Sequence, residues 1–464
     1  MQGLSQLSDA KRILFDRLSQ GRVSYGPKIG RRPQGCPAPL SLVQEQLYFR
    51  ELEFAGKPPL YNECVTVRML GPLDPDVLER SFNEIIRRHE AWRTSFETKA
   101  GQPVQIIHPD GTIRFSRIDL RGLGEAERET EAVRLVSEDV RRPFQLNKGP
   151  LLRPILVRMS DEDHRLFLAV HQIVVDGRSA YQIYPSELAA NYKAFLAGRP
   201  SPLPELQIQC ADFAWWQREC LKGDESRQVS YWREQLDGNL PVRGWPTEQP
   251  DASALSCCGR IHPFAFSAEL STHVREVSRR LNSTLFLVLL TGLATVIHRY
   301  EKRGDVLLGT LSPSGRKQSE VMDLLGYFLN PVTLRLNCGA HATFSALLRH
   351  ARGTVSDAIS NDDVPIESLA RALEGQDGSG PRPFFNVAVS LQPPTPDLGQ
   401  PWSVTSMDVE SGGSPWPLYL AFIDRPEGII GRVQFNPDLF EIGTIKGALQ
   451  DLQLFFETIC PQEP

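Results

Sequence analysis

Residues 166–179 read LFLAVHQIVVDGRS. The first five positions form an apolar run typical of a buried strand, and two polar residues, His171 and Gln172, follow it directly. Three more apolar residues lead to Asp176, Gly177 and Ser179, and a serine at this point predicts the start of a helix. A strand, a turn and a helix in this order hold polar groups rigidly beside a cavity, so the stretch indicates a functional site. A buried strand end whose polar residues only cap the next helix explains the same pattern.

The composition limits the classes of protein to which the chain can belong. Its 464 residues are too many for one ordinary core, so two or more lobes are expected, and 41% hydrophobic with 23% charged residues is typical of a soluble globular protein. A net charge of −5 gives no reason to expect a nucleic-acid partner. The longest apolar stretch, Leu285 to Ile297, is too short to span a bilayer, so no membrane partner is expected.

The numbers and spacing of histidine and cysteine residues indicate whether a metal site and disulfide bonds are expected. The nine histidines form no HExxH motif and no cluster with cysteine, so no metal site is expected. The eight cysteines contain no CxxC pair and no regular framework. Because the N-terminus shows no secretory signal, we interpret them as reduced thiols of a cytoplasmic protein.

Alternating strand and helix patterns predict an α+β (mixed α/β) fold in two comparable lobes. Residues 1–38 read as a short helix and a tether rich in Gly, Pro and Arg, which suits either a docking element or a poorly ordered terminus. Residues 39–210 form the predicted N-terminal lobe with the central stretch, and residues 211–464 the C-terminal lobe. The clearest linker, Gly198–Pro204, lies shortly before that boundary.

Several catalytic mechanisms are not supported for the central stretch, because the sequence lacks their motifs. The sequence contains no GxSxG elbow for covalent catalysis, no GxxxxGK[ST] loop for nucleotide hydrolysis and no GxGxxG loop for dinucleotide binding. The remaining mechanism is direct transfer between two bound substrates, in which positioning supplies most of the rate. A buried Asp176 needs a partner, and we predict a salt bridge with Arg335 that orders the turn. Gly177 permits a close backbone approach and can present its N–H to an oxyanion.

Seven segments, in order along the chain, resemble the motifs of condensation domains of nonribosomal peptide synthetases. Trp92 takes a leucine position in the second of them, and the third corresponds to the family's HHxxxDG motif. The segments are Ser41–Tyr48, Arg88–Phe96, His171–Gly177, Ala211–Trp215, Gly326–Arg335, Asn361–Glu367 and Arg382–Val387. The resemblance covers nearly all of the chain from Pro39 onward.

The resemblance implies two lobes like chloramphenicol acetyltransferase, arranged as a V-shaped pseudo-dimer with a central tunnel. Donor and acceptor carrier proteins would bring thioesters on phosphopantetheine arms into the tunnel, with no intrinsic cofactor and no metal, and neighbouring synthetase domains would be partners. The acceptor amine would attack the donor thioester and form an amide, in a nonribosomal or hybrid polyketide–peptide assembly line. The implied catalytic set is His171, Gln172, Asp176 and Gly177, and the motifs also imply the pairing of Asp176 with Arg335. The candidates for the tunnel wall are Ser314, Tyr327, Asn330, Ser390 and Trp416. Ser314 is equally consistent with a plain turn. Tyr327 and Asn330 are also consistent with structural roles in strand pairing.

One residue departs from the family pattern. The second histidine of the motif, usually taken as catalytic, is Gln172, and in an extended chain His171 would face the opposite side. An amide can donate and accept hydrogen bonds but cannot take up a proton, and loss of a true general base costs on the order of 10²–10⁴ in rate. Gln172 therefore marks a natural variant that still condenses, a degenerate domain that binds carrier proteins or recruits a tailoring enzyme, or a substitution introduced to trap substrates. A coenzyme A-dependent acyltransferase shares the fold, but Gln172 counts equally against it.

Overall fold

The fold contains fourteen strands in three sheets and eleven α-helices within the residues that the computed structural model describes, which are 28–220, 225–236, 257–373, 384–399, 401–405 and 409–459. The predicted N-terminal helix lies outside these ranges, as do Arg382 and Pro383 of the seventh motif. The strands are β1 (Ala38–Pro39), β2 (Asn62–Leu70), β3 (Thr94–Lys99), β4 (Gln102–Ile107), β5 (Ser116–Asp119), β6 (Leu152–Arg158), β7 (Asp163–His171), β8 (Arg260–Ala265), β9 (Asp305–Ser312), β10 (Asn330–Asn337), β11 (Val387–Gln392), β12 (Trp402–Thr405), β13 (Leu418–Arg425) and β14 (Gly428–Phe435). The helices are α1 (Leu42–Glu53), α2 (Pro75–Arg88), α3 (Glu125–Val140), α4 (Tyr184–Leu196), α5 (Cys210–Cys220), α6 (Glu225–Gln235), α7 (Ala268–Arg280), α8 (Leu285–Glu301), α9 (Phe344–Ser360), α10 (Ile366–Leu373) and α11 (Ile442–Thr458).

The first large sheet belongs to the N-terminal half and has the strand order β12-β2-β7-β6-β5. The central pair β2 and β7 is antiparallel, with Asn62 opposite His171 and Leu70 opposite Asp163. Helices cover both faces of this sheet, since Val170 packs into a core shared with α2 and α4 while Ala169 packs into a smaller core with α3. Burial on both faces explains the continuous apolar run before His171.

Local capping explains where the helices of this half begin. Asp74 accepts hydrogen bonds from the N–H groups of Asp76 (2.9 Å) and Val77 (3.1 Å), and Pro75 occupies the first helical position of α2. Ser41 forms a capping box with Gln44 at the start of α1. Residues next to each helix thus determine where α1 and α2 begin.

The second large sheet belongs to the C-terminal half and has the order β10-β9-β11-β13-β14-β8. Strand β11 is parallel to both of its neighbours, β9 and β13, whereas the outer strands are antiparallel. Helices α7, α8, α9 and α11 pack with the sheet into the largest core of the protein. A third, small sheet has the order β1-β4-β3. The predicted mixed α/β class is confirmed.

One strand crosses between the two halves. Strand β12 comes from the C-terminal half of the chain but pairs antiparallel with β2 at the edge of the first sheet, with Trp402 opposite Met69 and Thr405 opposite Thr66. The boundary between lobes at residues 210 and 211 remains a prediction. That prediction did not include a strand from the C-terminal half in the sheet of the N-terminal half. The crossing ties the lobes together beside the central stretch.

No single helix of the described residues is long and apolar enough to cross a membrane. Helices α7 and α8 meet that test only as a pair, and the pair is bent by 106° at its break.

Candidate functional site

A cavity of about 430 Å³ lies between the two halves of the chain. One wall comes from strand β2 and from the segment that follows β7, and the opposite wall comes from strands β11, β13 and β14. The residues that line the cavity include Glu63, Gln172, Asp176, Gly177, Tyr181, Arg316, Ser390, Gln392, Trp416, Tyr419 and Arg432. The central stretch is thus brought against residues more than 130 positions away.

His171 points away from this cavity and is 1% exposed. Its Nδ1 accepts a hydrogen bond from the N–H of Ile173 (3.1 Å), and its Nε2 lies 3.2 Å from Oε1 of Glu51 without the alignment of a hydrogen bond. The rings of Tyr61 and Phe144 pack edge-on against the imidazole. This placement gives His171 structural contacts in the N-terminal half, and the geometry does not support its predicted place in the catalytic set.

Gln172 lines the cavity, as the alternation along the chain predicts. Its backbone N–H donates to the carbonyl of Tyr61 (2.8 Å), and the chain then turns through a short 3₁₀-helix, Gln172–Val174. The side chain is half-buried and makes no hydrogen bond to any residue that the structure describes. Its amide is therefore available to a substrate, as a donor and as an acceptor but not as a base.

Asp176 is occupied by structural contacts. Its backbone carbonyl accepts from Ala180 N–H (2.8 Å) and its Oδ1 from Ser179 N–H (2.8 Å), so it caps the helical segment that continues into α4. Its two carboxylate oxygens also accept from Nε and Nη2 of Arg316, at 2.7 and 2.8 Å. Such a two-point bond is a strong form of ion pair, and it engages both carboxylate oxygens. Asp176 positions the turn rather than performing chemistry.

The predicted pairing of Asp176 with Arg335 is wrong. Arg335 instead donates to Asp305 through Nε (2.9 Å) and Nη2 (2.7 Å) on the neighbouring strand β9, at a partly exposed position. Both arginines lie in the C-terminal half, and only the packing of the two lobes decides which of them meets Asp176.

Arg316 ties loops of the two halves together. Besides Asp176, it donates to Ser179 Oγ (2.9 Å) and to the carbonyls of Val321 (2.9 Å) and Leu324 (3.1 Å). Its guanidinium lies 4.5 Å from the ring centroid of Phe328. A buried arginine with these partners fixes the turn after β7 against the loop before β10.

Gly177 is the first residue of the helical segment after Asp176. Its N–H has no hydrogen-bond partner within the described residues, and the residue lines the cavity. A β-carbon at this position would lie 2.9 Å from Oε1 of Gln392, the movable end of a flexible side chain, so it would narrow the cavity at little cost to packing. Free N–H groups and the helix dipole make such a terminus a favourable place for a developing oxyanion.

The five predicted tunnel residues divide into two groups. Ser390 and Trp416 line the cavity, where Ser390 Oγ lies 2.7 Å from Tyr419 Oη and Trp416 packs against the Tyr419 ring. Ser314, Tyr327 and Asn330 are buried but do not line it. Asn330 donates to the carbonyls of Asp362 (2.7 Å) and Val364 (2.9 Å), burial raises the pKa of Tyr327 well above its ordinary value, and Ser314 lies in a 3₁₀ turn.

A polar group that the sequence reasoning missed lies in the same cavity. Arg432 on β14 donates to Oε2 of Glu63 on β2 at 3.4 Å, so a charge pair joins the two large sheets. The hydroxyls of Tyr181 and Tyr419 complete the group, and burial raises the pKa of Tyr181 to about 12. The available signal was a charged residue inside each of two strands. It is a weak signal, because β2 also carries Arg68 and β14 also carries Gln434.

The sequence comparisons agree with this architecture. A family model described as Condensation domain matches residues 37–461. A linear gramicidin synthase polypeptide from Brevibacillus parabrevis is 38% identical over 445 residues, which cover 95% of this chain and 9% of that protein. Phosphinothricin tripeptide synthetase PhsC from Streptomyces viridochromogenes is 33% identical over 466 residues, which cover 98% of this chain and 42% of that protein. This chain thus spans less than half the length of either relative.

Solved structures share the fold at low sequence identity. The first condensation domain of the calcium-dependent antibiotic synthetase, in complex with substrate analogue 2a, has a TM-score of 0.78 and 20% identity, and the match covers 91% of this chain and 96% of that one. The X-domain from teicoplanin biosynthesis has a TM-score of 0.78 and 22% identity, covering 93% of this chain and 98% of that one. Because the family model matches more than nine-tenths of the sequence, this chain belongs to the condensation-domain family of nonribosomal peptide synthetases.

Proposed function

We propose that this chain forms an amide bond between an acyl or aminoacyl thioester donor and an aminoacyl acceptor, each carried on the phosphopantetheine arm of a carrier protein. The observation that carries the proposal is the cavity between the halves, in which the Gln172 amide and the Gly177 N–H share one wall. The reaction joins two held substrates, and positioning of this kind supplies much of the rate of such a transfer. Donor and acceptor carrier proteins, neighbouring synthetase domains and a cytoplasmic location belong to the same proposal.

The residues of the cavity suit distinct parts of this reaction. The thioester carbonyl gains negative charge when the amine attacks, and the Gly177 N–H at a helix start is a donor for that charge. The Gln172 carbonyl oxygen can accept a hydrogen bond from the attacking amine and so orient its lone pair. Asp176 and Arg316 keep both groups in place because they fix the turn that carries them.

A second candidate function is recruitment without catalysis. Gln172 favours it, since no proton can be taken up at this position. The X-domain of teicoplanin biosynthesis has been solved in a complex with OxyB, and it shares the fold of this chain with a TM-score of 0.76 and 23% identity. A non-catalytic member would bind carrier proteins or a tailoring enzyme with the same scaffold.

A reconstituted condensation assay separates the two functions. Donor-loaded and acceptor-loaded carrier proteins are mixed with the native chain or with Gln172→His, and intact-protein mass spectrometry follows the mass of the acceptor carrier. We expect product with the native chain and faster product formation with Gln172→His. Product only with Gln172→His identifies a disabled enzyme, and no product with either variant supports recruitment. Boiled chain controls for uncatalysed aminolysis.

A further inference from the structure

Amide formation releases a proton from the attacking amine, and Gln172 cannot accept it. The groups that line the cavity within the described residues include no histidine and only two carboxylates, Glu63 and Asp176. Asp176 already accepts three hydrogen bonds, from Ser179 and Arg316, and is 3% exposed. Of these two carboxylates, Glu63 has by far the more unused acceptor capacity.

The pairing of strands β2 and β7 places Glu63 close to Gln172, where the amine is proposed to react. Strands β2 and β7 pair with Asn62 opposite His171, and the hydrogen bond from Gln172 N–H to the Tyr61 carbonyl extends this ladder by one residue. Glu63 and Gln172 are therefore diagonal cross-strand neighbours, whose backbones lie roughly 7–8 Å apart, within reach of two long side chains. Both side chains line the same cavity.

The contacts of Glu63 leave most of its carboxylate unoccupied. Among the described residues its side chain has one hydrogen-bond partner, Arg432, through a long bond of 3.4 Å, and it is 32% exposed toward the cavity. An ionised carboxylate offers about four acceptor positions, so most of them are free. The single contact with Arg432 leaves the rest of the carboxylate uncovered.

The other titratable groups around Glu63 do not compete for the proton. They are Arg432 on β14, Tyr181 on the helical segment before α4, Tyr419 on β13, Tyr327 before β10, and Cys64 on β2 itself. Burial raises the pKa of each tyrosine and raises the pKa of the Cys64 thiol to about 12, so all four stay protonated near neutral pH. An arginine is always protonated.

We propose that Glu63 is the proton acceptor of the condensation reaction in this chain, in place of the histidine that position 172 lacks. The amine nitrogen forms a bond to the thioester carbonyl carbon, and the Glu63 carboxylate takes the proton that the nitrogen loses. The carbon–sulfur bond then breaks, and the departing thiolate takes the proton back from Glu63. The products are an amide and a free phosphopantetheine thiol, and the carboxylate is regenerated. This inference rests on the proposed amide-forming function.

The test is a single-turnover condensation assay with loaded carrier proteins and five chains. They are the native chain, Glu63→Gln, Glu63→Ala, Arg432→Met and the control Glu129→Gln, which alters a glutamate–arginine pair with Arg165 outside the cavity. We expect Glu63→Gln to lower the rate by on the order of 10²-fold. Arg432→Met breaks the same ion pair but keeps the base, so its loss is expected to be much smaller. Added formate should restore part of the rate of Glu63→Ala in a concentration-dependent way.

The outcomes separate this inference from the proposed function. No product from the native chain overturns both. Product from the native chain together with an unchanged rate in Glu63→Gln overturns the role of Glu63 alone. An equal loss in Glu63→Gln and Arg432→Met, without rescue by formate, shows that the pair is only structural and also overturns it. Thermal melting of each variant identifies a loss caused by misfolding, and in that case the formate series on Glu63→Ala decides.

Discussion

Asp176→Asn tests the buried ion pair on which the site is built. Asparagine keeps an oxygen that can accept from Ser179 N–H, so the helix cap is retained while the charge is removed. The side chains of Asp176 and Arg316 are 0% and 4% exposed, so the variant leaves a buried guanidinium without its counter-charge. Breaking a buried pair from one side costs about 3–5 kcal/mol of unfolding free energy.

Asp305→Asn is the matched control, because it makes the same chemical change in the partly exposed pair with Arg335. Pairs at such positions contribute about 0–1 kcal/mol. Urea denaturation followed by tryptophan fluorescence measures both variants. In the double variant Asp176→Asn/Arg316→Met the two losses should not add, with an interaction energy of about 1–3 kcal/mol. Equal losses in Asp176→Asn and Asp305→Asn, or additive losses in the double variant, would refute this assignment of partners.

Three further predictions concern one residue of the cavity wall and two buried polar residues of the C-terminal half. In Gly177→Ala the new methyl group meets the flexible end of Gln392, so we expect unfolding free energy to change by less than about 1 kcal/mol while the condensation rate falls, and an unchanged rate contradicts this. Asn330→Ala leaves two buried carbonyls without donors, and calorimetry or urea denaturation should show a loss of about 2–4 kcal/mol, whereas a neutral result counts against this role. Burial raises the pKa of Asp362 to about 6, above its value near 3.9 in an unfolded chain, so its contribution to stability is complete below about pH 4 and is lost as the pH rises through 6. Asp362→Asn should remove that decline, at most about 3 kcal/mol, in urea denaturation at pH 4 and pH 7, and an identical pH dependence in both proteins contradicts the assignment.

Features of the fold that depend on neighbouring residues, such as strands and helix starts, could be predicted from the sequence. The apolar run before His171 predicts a buried strand, and β7 is one, because a strand covered by helices on both faces needs apolar residues at every position. The Asp74–Pro75 pair predicts the start of α2 because capping depends only on neighbouring residues. The alternation of side chains correctly separates His171 from Gln172.

Contacts between residues far apart in the chain could not be predicted from local sequence patterns. Asp176 and Arg316 are separated by 140 positions, and no local pattern distinguishes Arg316 from Arg335 as the partner. Strand β12 is only four residues long, so its alternation is too short to read, and its place beside β2 follows from the packing of the lobes. Glu63 and Arg432 meet across the cavity for the same reason.

The decisive measurement is the single-turnover rate of amide formation by the native chain, compared with the rate of Gln172→Ala, which lacks the amide proposed to orient the acceptor amine. Loaded donor and acceptor carrier proteins supply both substrates, and mass spectrometry gives the first-order rate constant. We expect product with the native chain and a rate lower by about tenfold or more in Gln172→Ala, because the amide in the cavity orients the amine. No product above the boiled control, or equal rates in the two proteins, would contradict it.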